Sequence, residues 1–309
     1  MTDTKKTNYY ARARMENRIF TTINTMFLLL LVFVTMYPFW NTIVVSINDA
    51  TDTIRGGVTL WPRKFSLQNY KAVFASGAIF HAFGVSVVRT VLQTVLGVFL
   101  TTMLAYALSR EEFVFRKPFT FLLVISMYVS AGLIPCYFLM RSLHLVNTFW
   151  VYIVPGLMSA FNFIVIRTYI KALPDSFVES ARIDGAGDFR IFLKIIMPLC
   201  LPVLATIALF IAVGAWNSWF DTMIYNSSRA DLHTLQYKLM EFLQSSQSQS
   251  KSAADIGAMG MSKDVASSIV TPVSIRAAIT VVAAVPILIV YPFLQQYFVV
   301  GLNVGGVKE

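Results

Sequence analysis

Charge is scarce in this chain. Asp, Glu, Lys and Arg make up 13% of its 309 residues, about half the share usual in a soluble domain. That scarcity excludes an ordinary water-soluble globule. Cysteine is scarcer still: Cys136 and Cys200 both lie inside apolar runs, without the spacing of a disulfide framework or metal cluster. Both are read as packing residues, since a free cysteine behaves as a small buried hydrophobe. His81, His144 and His233 stand alone, with no second ligand at metal spacing. No metal is expected. A Gly-x-x-x-x-Gly-Lys-Ser/Thr phosphate loop is absent, so the chain is not expected to hydrolyse ATP by itself. No nucleophile–base pair is found either, and no catalytic residue is assigned. The net charge is +9, but the cations fall in short stretches between apolar blocks. A nucleic-acid binder would cluster them on a soluble face, so no nucleic acid is expected as a partner.

What is abundant is apolar: 56% of the residues are hydrophobic, and 25 are Phe. A spanning helix needs about 20 mostly apolar residues. About six stretches qualify: Phe20–Ile47, Phe83–Leu108, Phe119–Met140, Phe149–Ile166, Pro198 to Phe220, and Ala277 to Val300. The expected fold class is therefore all-α, a polytopic membrane protein. The first stretch is too long for the h-region of a cleavable signal and no small-residue cleavage site follows it, so it is expected to stay as a helix. None of the stretches holds Asp or Glu, whereas an ion-coupled carrier usually places carboxylates there; that class is the weaker alternative.

Orientation follows the cations. Lys5, Lys6, Arg12, Arg14 and Arg18 precede the first stretch; Arg110, Arg116 and Lys117 follow the second; Arg167, Lys171, Arg182, Arg190 and Lys194 follow the fourth. Alternation puts these on one side with Lys308, so both termini are expected in the cytoplasm of a bacterial-type cell. The expected division is a cytoplasmic tail 1–18, a first transmembrane helix 19–47, an extracellular loop 48–80, a transmembrane domain 81–300 and a cytoplasmic tail 301–309. Within the domain, 168–197 is a cytoplasmic loop and 226–274 an extracellular one.

Some polar and aromatic residues in the spans carry two readings. Arg89 either faces a cavity, where it would hold an anionic substrate, or snorkels and pairs with lipid or a loop carboxylate. Asn162, beside Phe163, either bonds a neighbouring helix or meets substrate hydroxyls. Trp216, Asn217 and Trp219 either stack and hydrogen-bond a sugar or form an interfacial belt. In the outer loop, Leu232, Leu235, Leu239 and Phe242 recur at helical spacing. A short amphipathic helix is expected there, with an uncovered apolar stripe, ahead of the polar tract 244–250.

The cytoplasmic loop is patterned. Pro174-Asp175-Ser176 marks a helix start, and Ser176 with Glu179 has capping-box spacing. Gly185 and Gly187 break that helix, and another begins near Asp188. Phe177 and Ala181 share one face and Ile183 adds apolar surface, so a partner is expected to cover them. Glu179-Ser180-Ala181, Gly185, Ile195 and Pro198 resemble the Glu-Ala-Ala loop of membrane subunits of ATP-binding-cassette importers. Ser180 replaces the middle Ala of that motif, and Met197 replaces a Leu. Glu179 through Ala186, Ala105-Tyr106-Ala107-Leu108-Ser109-Arg110, Trp216-Asn217-Ser218-Trp219 and the ending Gly305-Gly306-Val307-Lys308 are similar to the carbohydrate-importing branch, in particular its oligosaccharide and aldouronate permeases.

The resemblance implies a type I importer permease fold and a carbohydrate, or failing that another polar solute, as cargo. It implies a second homologous permease forming a heterodimer, an extracellular solute-binding protein, and two cytoplasmic ATPase subunits that hold the ATP and Mg. Phe177, Glu179, Ser180, Ala181, Ile183 and Gly185 would then meet the ATPase, with Asp184 fixing the turn. The tail residues Gly305, Gly306 and Lys308 would reach into the ATPase dimer. Leu235 and Leu239 would dock the binding protein, on the strength of their exposed stripe as much as of the resemblance.

Overall fold

A computed structural model describes residues 3–75, 77–244 and 271–303. Every regular element among them is helical, with one isolated antiparallel bridge between Asn48 and Phe65. The chain divides into two compact units, Met1–Val73 with Gln249–Val281, and Phe74–Ser248 with Val282–Glu309.

The first unit is built on α1 (Asp3–Ser46), which runs unbroken through Pro38. Apolar side chains from Ile19 to Ile43 are exposed around its whole circumference. A helix apolar on all sides suits a solvent as apolar as itself. Beyond it, α2 (Ala50–Ile54) is capped by Asp49, whose Oδ1 accepts from the N–H groups of Thr51 and Asp52 at 3.0 and 3.1 Å. Asn48 organises this corner. Its Nδ2 donates to Asp52 Oδ2 at 3.1 Å and Thr53 Oγ1 at 2.9 Å, and its Oδ1 accepts from the Lys64 N–H at 3.0 Å. Asn69, in α3 (Gln68–Ala75), donates to the carbonyls of Ser46 and Asn48, both at 2.9 Å. The stretch expected as a loop is an ordered hairpin closed by a fully buried amide network.

In the second unit, α4 (Ala78–Ser109) is the central rod. The element α5 (Arg116–Ser126) follows it, and then α6 (Leu133–Ser142). Two further helices pack along the rod, α7 (Ala160–Lys171) and, after α8 (Ser176–Ile183) and α9 (Asp188–Leu199), α10 (Leu201–Asn217). Gly97 permits the approach of α10: a Cβ there would lie 3.3 Å from Ile211 Cδ1. The main core joins Ala105, Leu108, Phe163, Ile166, Ile191 and Phe192 with Cys200 and Ile207. After α10 come α11 (Phe220–Tyr225), α12 (235–244) and α13 (Pro272–Asn303), whose first residues belong to the other unit.

Among the described residues, three helical stretches are long and apolar enough to cross a membrane: Asn17–Ser46, Ala78–Ser109 and Val273–Pro292. Two bent pairs, counted as one span each, would raise the number to five: Phe149–Gly156 with Ala160–Lys171 at 46° and Asp188–Leu199 with Leu201–Asn217 at 83°. The expected third span, Phe119–Met140, is not one helix. Helix α5 stops at Ser126 and α6 starts at Leu133, after Gly132 at φ 83°. Pro135, which has no N–H to bond back to Ala131, falls in the first turn of α6, where no such bond is needed. Cysteine placement also divides: Cys200 is buried as expected, whereas Cys136 is exposed on α6.

Candidate functional site

The patterned loop folds as its spacing suggests, with two corrections. Helix α8 begins after Pro174, but Asp175 has helical angles and makes no side-chain cap bond. The Ser176–Glu179 capping box is not formed. Backbone carbonyls take its place: Pro174 O accepts from the Phe177 N–H, and Asp175 O accepts from Val178 and Glu179 at 2.9 and 3.0 Å. The Asp175 carboxylate is thereby free to pair with Arg110, at 3.6 Å.

The far end of α8 is a Schellman stop. Gly185 takes φ 79°, its N–H donates to Arg182 O at 3.0 Å, and the Ala186 N–H donates to Ala181 O at 2.9 Å. Asp184 is the C-cap, which agrees with a local role in the turn. Along the helix the two faces differ sharply. Val178 and Ala181 are buried in the main core, so Ala181, expected on the open face, instead anchors α8. Phe177 is 46% exposed and Ile183 86% exposed. Glu179 and Ser180 are exposed beside them.

Charges tie α8 to the turn after α4. Arg182 donates to Glu112 at 2.5 Å and to Asp188 at 3.2 Å. Arg110 lies 5.0 Å from the Tyr106 ring. Tyr106, Arg110, Glu112, Arg182, Asp188 and Phe189 help line a cavity of about 370 Å³. The Arg182 hydrogen bond holds the Glu112 carboxyl below its ordinary value, and the two carboxylates raise Arg182. A depressed carboxylate pKa contributes stability above the unfolded value, and that contribution is lost as pH falls through the folded one. Because both side chains are largely exposed, solvent screens the pair. A double-mutant cycle of Glu112→Gln and Arg182→Gln, read by unfolding at low and high salt, should give a coupling below about 1 kcal/mol that shrinks with salt. A salt-independent coupling well above that would show the pair to be shielded from water.

The structure places the span residues offered as a substrate path as follows. Arg89 does not snorkel; its side chain is 2% exposed. It is ion-paired to Asp221, donates to the Ser218 carbonyl at 3.2 Å, and lies 4.6 Å from the Tyr152 ring. Phe163 is a core residue, and Asn162 beside it is buried. Trp216 is buried, donates to the Ala283 carbonyl at 3.0 Å and packs edge-on against Phe83. Asn217 is exposed and accepts from Gln236 at 3.4 Å, and Trp219 stacks edge-on with Phe220. The structure thus brings Arg89, Ser218 and Asp221 together. Helix α12 holds Leu235, Leu239 and Phe242 of the expected stripe, with Leu232 in a separate 3-10 turn before it; Leu235 is fully buried and its N–H donates to Ser86 Oγ at 2.8 Å. The apolar stripe is covered there by the chain itself, while Leu232, Leu239 and Phe242 are half-buried and leave part of it open. The polar tract 245–250 and the tail residues Gly305, Gly306 and Lys308 lie outside the described residues.

Residues 93–304 match the family described as binding-protein-dependent transport system inner membrane component. The chain belongs to that family. Among its relatives, the polygalacturonan/rhamnogalacturonan transport system permease protein YtcP of Bacillus subtilis is 35% identical over 294 residues, 95% of this chain and 100% of the relative. The arabinooligosaccharides transport system permease protein AraQ of Halalkalibacterium halodurans is 31% identical over 281 residues, 89% of this chain and 92% of that one. A chain of a bacterial ABC transporter involved in the import of the acidic polysaccharide alginate superposes with a TM-score of 0.78 at 28% identity, covering 92% of this chain and 98% of its own. Membership makes this a membrane-embedded subunit of a transport system. The family match includes the whole of α8, its elbow and α9.

Proposed function

We propose that this permease subunit imports a carbohydrate, an oligosaccharide whose uronate content follows the relatives' polygalacturonan and alginate, and that α8 with its elbow is where a cytoplasmic ATPase subunit docks. One observation carries the docking: Phe177 and Ile183 stand open on a short helix whose other face, Val178 and Ala181, is anchored in the core. Apolar side chains held rigidly in water suit a partner that buries them. Glu179 then meets a basic group of that partner. ATP and Mg belong to the ATPase subunits, and a second homologous permease completes the path.

The cation distribution supports cytoplasmic termini and a cytoplasmic α8, with loop 226–274 outside. A six-crossing arrangement of the type I importer kind results if the two bent pairs each cross and the α5–α6 region, broken at Gly132, crosses as a pair of half-helices. The Leu239 side of α12 remains the part of the outer loop offered to a solute-binding protein, and the tail through Lys308 is offered to the ATPase dimer.

The test is reconstitution of this chain with its partner permease, ATPase subunits and binding protein in liposomes. ATP hydrolysis and sugar uptake should both require the complete set and rise when the binding protein carries an oligosaccharide that stabilises it thermally. Uptake by this chain alone, driven by an ion gradient, would replace the importer reading with a secondary carrier.

A further inference from the structure

We propose that the tip of the hairpin after α1, residues 58–61, is seated in the bilayer surface at the boundary between lipid acyl chains and headgroups. The last charge before the apolar part of α1 is Arg18. Twenty residues at about 1.5 Å each cover the roughly 30 Å of a hydrocarbon core, so counting from Phe20 puts Trp40 at the opposite boundary. Indole rings concentrate at that depth.

The chain continues beyond it to Ser46, about 9 Å further along the helix, and then comes back. The Trp40 Nε1–H donates to the Leu60 carbonyl at 2.8 Å. Asn41 Nδ2 donates to the carbonyls of Val58 and Thr59, both at 3.0 Å. The Trp61 ring packs edge-on against Trp40, with centroids 5.8 Å apart. These contacts pin the tip at the depth of Trp40, one to two turns short of the helix end.

Pinned there, Trp61 is 72% exposed, and Leu60 is exposed next to it. After the tip the chain climbs again: the Lys64 carbonyl accepts from the Asp49 N–H at 2.8 Å, and the Ser66 N–H donates to Ile47 O at 2.9 Å. Exposed Lys64 therefore sits at the level of residues 47–49, on the headgroup side of the tip. Arg63, between tip and Lys64, is held by Asp52 at 3.0 Å. Leu60 and Trp61 at the deep end and Lys64 toward the water side match the order of acyl chain and phosphate, while Phe65, beside Lys64, is exposed as well. The exposed apolar flank of α1 continues directly into the tip.

The experiment uses the whole importer, assembled with its partner subunits in phosphatidylglycerol-containing nanodiscs, in a Cys136→Ser, Cys200→Ala background. Nitroxides are attached singly through Leu60→Cys, Trp61→Cys and, as an aqueous reference, Gln68→Cys on α3. At 60 and 61, collisions with oxygen should exceed those with a water-soluble nickel chelate several-fold, with the order reversed at 68. Leu60 contributes only its backbone carbonyl to the pinning, so its variant keeps the test valid if Trp61→Cys loosens the hairpin; uptake by each labelled complex checks assembly. Preferential collision with the nickel chelate at position 60 would put the tip in water. Access by neither reagent would show a protein cover. Either result overturns the proposal.

Discussion

Gly185→Pro should abolish substrate uptake while leaving the subunit inserted and assembled. Proline fixes φ near −65°, whereas Gly185 sits at +79°, and it removes the N–H that closes on Arg182 O at 3.0 Å. The chain could then no longer reverse at the end of α8, and Ile183 would be re-aimed. Ala at the same position keeps the N–H and meets no neighbour within 4 Å. Only the left-handed conformation, about 1–2 kcal/mol, would count against it, so Gly185→Ala should retain most uptake. Glu179→Lys, which leaves the backbone alone, should uncouple by charge at the same surface. The measurement is sugar uptake per assembled complex in proteoliposomes, with membrane amount fixed by immunoblot. Normal uptake by correctly assembled Gly185→Pro would remove the elbow from the coupling route.

Asp221→Ala should cost about 3 kcal/mol of stability, the low end of the loss caused by removing one partner of a buried ion pair. The low end applies because Asp221 keeps 36% of its side chain exposed while Arg89 keeps 2%. The stranded guanidinium would retain the Ser218 carbonyl and the Tyr152 face, but its Nε already lacks a partner. Adding Arg89→Met to Asp221→Ala removes the buried charge and should recover most of the loss, since paired charges replaced together by apolar groups are often neutral. Reversible unfolding in mixed micelles gives the comparison. Equal stability of Asp221→Ala and the unmodified chain would mean that water, not Asp221, balances Arg89.

That pair also marks how far the sequence could be read. An arginine inside an apolar run announced that it needed company, and Asp221 was the nearest carboxylate to any span. Which of several exits it would take depends on where Ser218 turns α10 back toward α4, and that is set by packing far along the chain. The places of the Gly185 elbow and of the α8 and α9 starts were legible locally, because they depend on residues within one or two turns of each other, although the capping box read at Ser176 and Glu179 does not form. Contacts made at long range did not announce themselves. Nothing near Leu235 says that Ser86, 149 residues earlier, will cover it. Asp175 reads as a cap, but its helical backbone angles take its carboxylate out of the capping position and leave it to Arg110, from another loop. The break between α5 and α6 was visible in Gly132 and Pro135, but an apolar count alone passes over both.

The 83° corner between α9 and α10 has a mechanical meaning. Its first arm carries a π-turn over Phe192–Ile196 and ends at Pro198, which cannot donate to the Lys194 carbonyl. The corner itself is gripped by buried Ile196, Cys200 and Leu204. A rigid body with two arms near a right angle is a bell crank: a push along one arm emerges as a sideways swing of the other. With α8 and its elbow hung on the first arm, a thrust of a few ångströms along the membrane surface would become torque on α10, whose far end carries Trp216 and the Ser218 carbonyl bonded to Arg89.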